Sequence, residues 1–363
     1  MALSFLVSGD RDGHCPVFEE LRSAIRRPHS RFKLNYANPT PWAILLPHLA
    51  VLKHLSQVLQ LRASAELALG RTDEAFNDVM LMLDLSGACR DEPFVISHLV
   101  RIAQVQLALQ PLAEGLAGHQ WPEAQLRGLQ DRLGRLDFCA DARRALQGER
   151  VLCGCGAIEC FRRSRTDPRQ ITSSGPPTGW AEAILLVAPS GWFCLEELNL
   201  CRAFDDGPLS AVDAPRRQVH PLGAGEADAD VQLLEMTQTA PALLLSHRFF
   251  STLLVPGMVG VVRRTAFAQA AADLAAIACA LDRWRLAQGR FPETLDSLAP
   301  AFMDELPHDI INGRPLKYHR TEEGRFVLYS VGWNQIDDNG TVGLINNGER
   351  VDAKTGDWVW GGR

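Results

Sequence analysis

Apolar positions recur in steps of three and four over much of this chain, and the clearest run comes late. Between Val255 and Pro292, residues Phe267, Ala270, Ala271, Leu274, Ile277, Ala278, Leu281 and Trp284 share one face of an α-helix. Arg283, Arg285 and Gln288 fall off that stripe and are expected to stay hydrated. Gly289 stands just past the last turn, where a left-handed residue closes a helix. Pro292 then keeps the helix from resuming. At the other end, Pro256 and Gly257 are expected to separate the helix from whatever Leu243 to Val255 forms.

The first 41 residues read as polar and loop-like, with proline at 16, 28, 39 and 41. From Trp42 the pattern turns helical. Leu45, Leu49, Leu52, Leu55 and Leu59 make a stripe that runs through Ala63 and Leu67 to Leu69 and ends at Gly70. Asp73 is the expected N-cap of a second helix carrying Ala75, Val79, Leu83 and Leu85. The pair at 42–85 resembles one tetratricopeptide-type helical hairpin, with Ala63, Leu67, Gly70, Ala75 and Asp78 at matching places, but no second copy follows at that period. Further helices are predicted from Phe94 to Leu112, bent or stopped by Pro111, from Glu123 to Leu136, and from Ala140 to Leu152.

Three regions follow from this texture. Residues 1–163 form an all-α scaffold and 164–238 an irregular connector. The connector holds the SSGPPTG turn, short apolar pieces at Ala181–Val187 and Gly191–Phe204, and an exposed Asp/Gly/Ala/Pro run from Phe204 to Asp230. Residues 239–363 form an α+β unit: the long helix, a short helix begun by Pro292, and a hairpin of Pro315–Arg320 with Arg325–Val331. A Gly-, Asn- and Asp-rich tail ends in DWVW. The predicted fold class is α+β.

Composition excludes some classes. A formal charge of -6 over 363 residues argues against a nucleic-acid or anionic-membrane binder, either of which needs a basic face. No transmembrane span is predicted: Ala183–Val187 is too short, and Pro241–Val262 carries His247, Arg248 and Pro256. The opening MALSFLVSGDRDGH lacks the basic start and apolar length of a signal peptide. The nine cysteines are scattered, several in apolar surroundings, and do not suggest a disulfide framework.

From Leu254 to its end, the chain resembles the major pseudopilin of type II secretion systems. The residues that carry this are Val255, Pro256, Met258 and Gly260, the ALDRWRLAQGRFP segment from Ala280 to Pro292, Leu295 and Leu298. They continue with Pro307 and Asp309, with Gly313, Pro315, Leu316 and Tyr318, with Phe326 to Gly332, and with Asp357-Trp358. The resemblance implies a pilin-like long helix under a small antiparallel sheet, partners among secretion-system or envelope proteins, and a place on the envelope side of the cell. It also implies calcium in the C-terminal loop, with Asn334, Asp337, Asp338, Asp352 and Asp357 as candidate ligands beside carbonyls at Leu328 to Val331. The chain departs from the family in several ways, one of them in the loop, where Asn334 stands in place of the family's usual Asp. It has no Gly-Phe-Thr-Leu-Ile-Glu type processing site, it carries His247 and Arg248 where the family's apolar half should run, and Ile310 stands where proline is usual. The loop is not an EF-hand, since Gln335 and Asn346 occupy the first and twelfth positions.

Motif chemistry is sparse. Glu159 replaces the third glycine of a G-x-G-x-x-G that would begin at Gly154, and there is no Walker, zincin or G-x-S-x-G signature. Cys153, Cys155 and Cys160, with Cys194 or Cys201, have the wrong spacing for a common zinc site. Glu196-Glu197 and Asp205-Asp206 read as solvated surface. The expectation is a non-enzymatic, envelope- or secretion-associated interaction protein. The alternative is a hydrolase or other enzyme with its site between the scaffold and the connector.

Overall fold

The computed structural model describes residues 16–27, 29–38, 40–163, 188–221, 246–345 and 350–361. The N-terminal stretch to Cys15, the SSGPPTG turn, Ala181–Val187 and the end of the run to Asp230 lie outside these residues. In chain order the helices are α1 (Pro16–Ile25), α2 (Pro47–Ala68), α3 (Thr72–Leu85), α4 (Val95–Ala117), α5 (Glu123–Gly134) and α6 (Phe138–Gly148). A π-helical turn, Glu149–Cys155, leads into α7 (Gly156–Arg163). Then come α8 (Ser190–Asp206), the small ladder of β1 (Val212–Asp213) and β2 (Gln218–Val219), and α9 (Phe249–Gln288).

After α9, a 3-10 turn at Leu295–Leu298 precedes β3 (Lys317–Arg320) and β4 (Phe326–Ser330), the expected hairpin. Lys317 pairs with Tyr329 and Arg320 with Phe326. A second hairpin, β5 (Val342–Ile345) with β6 (Arg350–Gly356), follows, and β7 (Trp358–Val359) closes on the free edge of β4. The fold is α+β with a long C-terminal helix.

Several local expectations need correction. Residues 16–25 are helical, because Phe18 and Leu21 find apolar cover on the scaffold. Asp73 sits inside the first turn of α3 and accepts from Gln125 Nε2 at 2.6 Å, while Arg71 is the N-cap. Pro111 does not end α4, which continues to Ala117 with Pro111 buried. Residues 191–204 are a single helix rather than short pieces. Most consequentially, Pro256 does not break the long helix, which runs unbroken for 40 residues.

A mid-helix proline removes one hydrogen bond and costs about 3 kcal/mol, so packing on both sides of it must compensate. It does. Phe250, Val261, Val262, Ala266 and Ala270 join α8, β1, β2 and Trp358 in one apolar cluster. Ala268, Ala272, Ala275, Ala276, Ala278 and Cys279 join side chains of α1 to α6 in another. Leu274, Ile277, Ala280 and Leu281 pack under Phe291, Leu298, Leu316 and Leu328 in a third. A helix with apolar side chains on more than one side has to be covered on more than one side. By length and hydropathy α9 could cross a membrane, but 89% of its apolar window is buried within the protein. The other helical stretch that passes the same test is Pro41–Ala68, and only 22% of its window is buried.

Candidate functional site

Two places concentrate polar chemistry: the seam between α9 and the scaffold, and the C-terminal loop. At the seam, Arg283 is buried, contrary to the expectation of a hydrated residue. Its Nη1 donates to Gln130 Oε1 and to the Phe302 carbonyl, both at 2.8 Å, and its Nη2 lies 3.0 Å from Glu123 Oε1. Gln269 is wholly buried; its Oε1 accepts from the Phe138 amide at 2.8 Å, and its Nε2 donates to Asp273 at 3.0 Å. His98 on α4 meets Thr265 Oγ1 at 2.9 Å. Burial first, then Arg101, pushes His98 down to about 3, so the imidazole stays neutral.

The start of α9 is held from outside. Glu196 on α8 is fully buried, and its two carboxylate oxygens accept from the Phe249 and Phe250 amides, each at 3.1 Å. These amides have no partner within their own helix, and a carboxylate at a helix N-terminus is favoured by the dipole. Burial raises the Glu196 pKa against the effect of those two bonds. Glu196 is therefore a long-range cap and not solvated surface. Asp205, its fellow candidate, pairs with Arg150.

In the loop, β4 leads into Gly332 in the left-handed region, where a Cβ would lie 2.3 Å from the Gly356 carbonyl. Asp309 ties the preceding turn to β4, accepting from the Ile311 amide and Ser330 Oγ at 2.9 Å and from the Val331 amide at 3.0 Å. Asp357 is buried. Its Oδ2 accepts from the Gly340 amide at 2.6 Å, while its Oδ1 is buried with no hydrogen-bond partner. Burial raises its pKa, backbone hydrogen bonding from Gly340 and then Asp338 opposes this, and the charges of Asp337 and Asp338 add to the rise.

The five loop candidates are not equivalent. Asp337 is already paired with Lys317 at 2.9 Å and accepts from Tyr329 at 3.0 Å, which hold its pKa down. The same contact, after burial, helps push Tyr329 up to about 12. Asp338 accepts from Asn334 Nδ2 at 2.9 Å, and Asn334 Oδ1 accepts from the Ile336 amide. Asp352 serves its own turn, accepting from the Lys354 amide and Thr355 Oγ1. Among the described residues no three His, Cys, Asp or Glu side chains are gathered as metal ligands. Asp357, with its orphaned oxygen, fits a cation; Asp338, which has one oxygen bonded to Asn334, could add a second carboxylate, and carbonyls would have to complete the shell.

A cavity of about 380 Å³ opens between Glu293–Asp296, Leu306–His308 and Tyr318. Asp357 lines a smaller one, about 60 Å³, among Phe267, Leu274, Val342 and Trp360. Neither draws on residues 150–230, where an enzymatic site was the alternative. The half-exposed His119 meets buried Asp282 at 3.0 Å, yet among the described residues no serine, threonine or cysteine bonds to that imidazole. The sequence carried no local signal for Arg283 or Glu196: Glu196 caps a helix 53 residues on, and Arg283 reaches Glu123, 160 residues back, as well as Phe302, 19 residues on. No family model, curated protein or solved structure matches the chain.

Proposed function

We propose that this chain is a non-enzymatic interaction protein of a bacterial secretion or envelope assembly, in which an all-helical scaffold grips a pseudopilin-like α+β unit. The observation that carries the interaction reading is the outer side of α2. Leu45 (83% exposed), Val51 (59%), Val58 (38%), Leu61 (57%) and Leu69 (44%) stand uncovered on and beside one helix, while its other face is packed in the scaffold. Exposed apolar side chains collected on one element mark a contact surface, and a partner's amphipathic helix suits such a face. The secretion assignment rests on the ordered motif series from Val255 to Trp358. The C-terminal loop is proposed to take calcium through Asp357 and Asp338 with backbone carbonyls, the ion offsetting the charge of a buried carboxylate.

The test is binding of the purified chain to purified soluble domains of type II secretion pseudopilins and inner-membrane platform proteins. The expected result is a complex with at least one of them that a Val58→Glu, Leu61→Glu double variant loses. Absence of binding to all of them refutes the assignment, and flotation of the chain with lipid vesicles instead would make α2 a membrane-surface element.

A further inference from the structure

We propose that Cys155 and Cys201 are a redox pair that closes to a disulfide, clasping the π-helical turn to α8. Their Sγ atoms lie 3.7 Å apart, although the residues are 46 positions apart in sequence. This approach is built into the neighbouring residues. Gly154 is buried against α8, and a Cβ there would lie 2.7 Å from Leu200 Cδ2. The missing side chain at 154 thus leaves room for the Leu200 side chain beside the step where Cys155 and Cys201 approach. The turn that presents Cys155 is π-helical, an uncommon geometry that concentrates at functional positions.

Bonding requires the two Sγ atoms to close from 3.7 Å to about 2.05 Å. Metal binding is the competing use of paired thiols, but among the described residues no third ligand completes a metal-binding group there.

The chemistry is thiol–disulfide exchange with a low-molecular-weight disulfide, RSSR, as oxidant. One cysteine attacks RSSR, forming a mixed disulfide and releasing RSH. The second cysteine gives up its proton and attacks the protein sulfur of the mixed disulfide, releasing the other RSH. In sum, two cysteine thiols and RSSR give one protein disulfide and two RSH. Burial first, then Cys201 and Glu197, pushes the Cys155 thiol up to about 12, so closure is slow at neutral pH and quickens with rising pH. The bond would enclose residues 156–200, which include 164–187, outside the described residues.

The experiment equilibrates the full chain in glutathione buffers from reducing to oxidising, blocks free thiols, and maps peptides by mass spectrometry without reduction. A linked pair of peptides containing Cys155 and Cys201, lost on adding dithiothreitol, is expected. The oxidised chain should also melt about 5 °C higher, the effect of closing a loop of this length in a chain of this size. Cys155→Ser and Cys201→Ser should abolish the redox-dependent shift, while Cys194→Ser keeps it. Both thiols alkylated in every buffer, or Cys155 linked to a different cysteine, would overturn the proposal; mapping of the unaltered chain decides this even if a variant folds poorly.

Discussion

Arg283→Met probes the joint between the long helix and the scaffold most sharply. Methionine keeps an unbranched apolar stem and removes the guanidinium. Gln130 Oε1 then loses a donor at 2.8 Å inside the protein. The Phe302 carbonyl loses one donor but keeps Gln130 Nε2 at 2.8 Å. Glu123, nearly half exposed, turns to water and to Arg127, so its share is discounted for screening. One charge-assisted bond lost outright and one halved come to about 3 kcal/mol. An unfolding entropy of about 2.1 cal/mol/K per residue over the whole chain makes that a fall of about 4 °C in melting temperature. Glu123→Gln is the control and should cost under about 0.5 kcal/mol. The assay is denaturant unfolding followed by circular dichroism, with a Gln130→Leu double-mutant cycle expected to give a coupling of about 1–2 kcal/mol. If Arg283→Met costs no more than the control, Arg283 is hydrated as the helical pattern alone implies, and the joint does not exist.

Other outcomes follow from the same structure. Glu66 is buried beside Asp78, and burial first, then Asp78, pushes it up to about 7 from an ordinary 4.5. The folded state thus holds a proton that the unfolded state has lost between pH 4.5 and about 7, so this contribution is full below 4.5 and is lost as pH rises to about 7; Glu66→Gln should flatten the profile over that window in thermal melts. Gly115→Ala would place a Cβ 2.3 Å from buried Trp121 and should cost roughly 1–3 kcal/mol or more, whereas Gly134→Ala meets nothing within 4 Å and should be neutral or stabilising by up to about 1 kcal/mol, both read by chemical denaturation. Millimolar calcium should raise the melting temperature of the unaltered chain relative to chelator, and Asp357→Asn should remove that rise; no shift in the unaltered chain refutes the loop site.

Much of the fold was legible in local pattern. The α2–α3 hairpin, the stop at Gly289 with φ 74, and the β3–β4 hairpin follow from periodicity and turn chemistry, which act over a few residues. The errors were of the opposite kind. Pro256 reads locally as a helix breaker, but its cost is met by clusters whose other members come from α8 and the C-terminal strand. Glu196 reads as surface beside Glu197, but the carboxylate that caps α9 is identifiable only once α8 is docked. Arg283 lies off the apolar stripe, yet α9 is enclosed on more than one side, and a polar side chain there finds partners instead of water. In the loop, composition gathered five oxygen-bearing residues, and hydrogen bonding sorts them: Asp337 is paired, Asp352 is occupied in its own turn, and Asp357 alone keeps a buried oxygen unpartnered.

The central claim is that α9 is the shared core of scaffold and C-terminal unit. Hydrogen exchange on the full chain tests it directly. Amides from Val261 to Arg283 should exchange only through global unfolding, at the same free energy as those of Leu126 to Leu133 in α5, and lose protection together with them in denaturant. Fast exchange along Val261–Arg283 while α5 stays protected would contradict it.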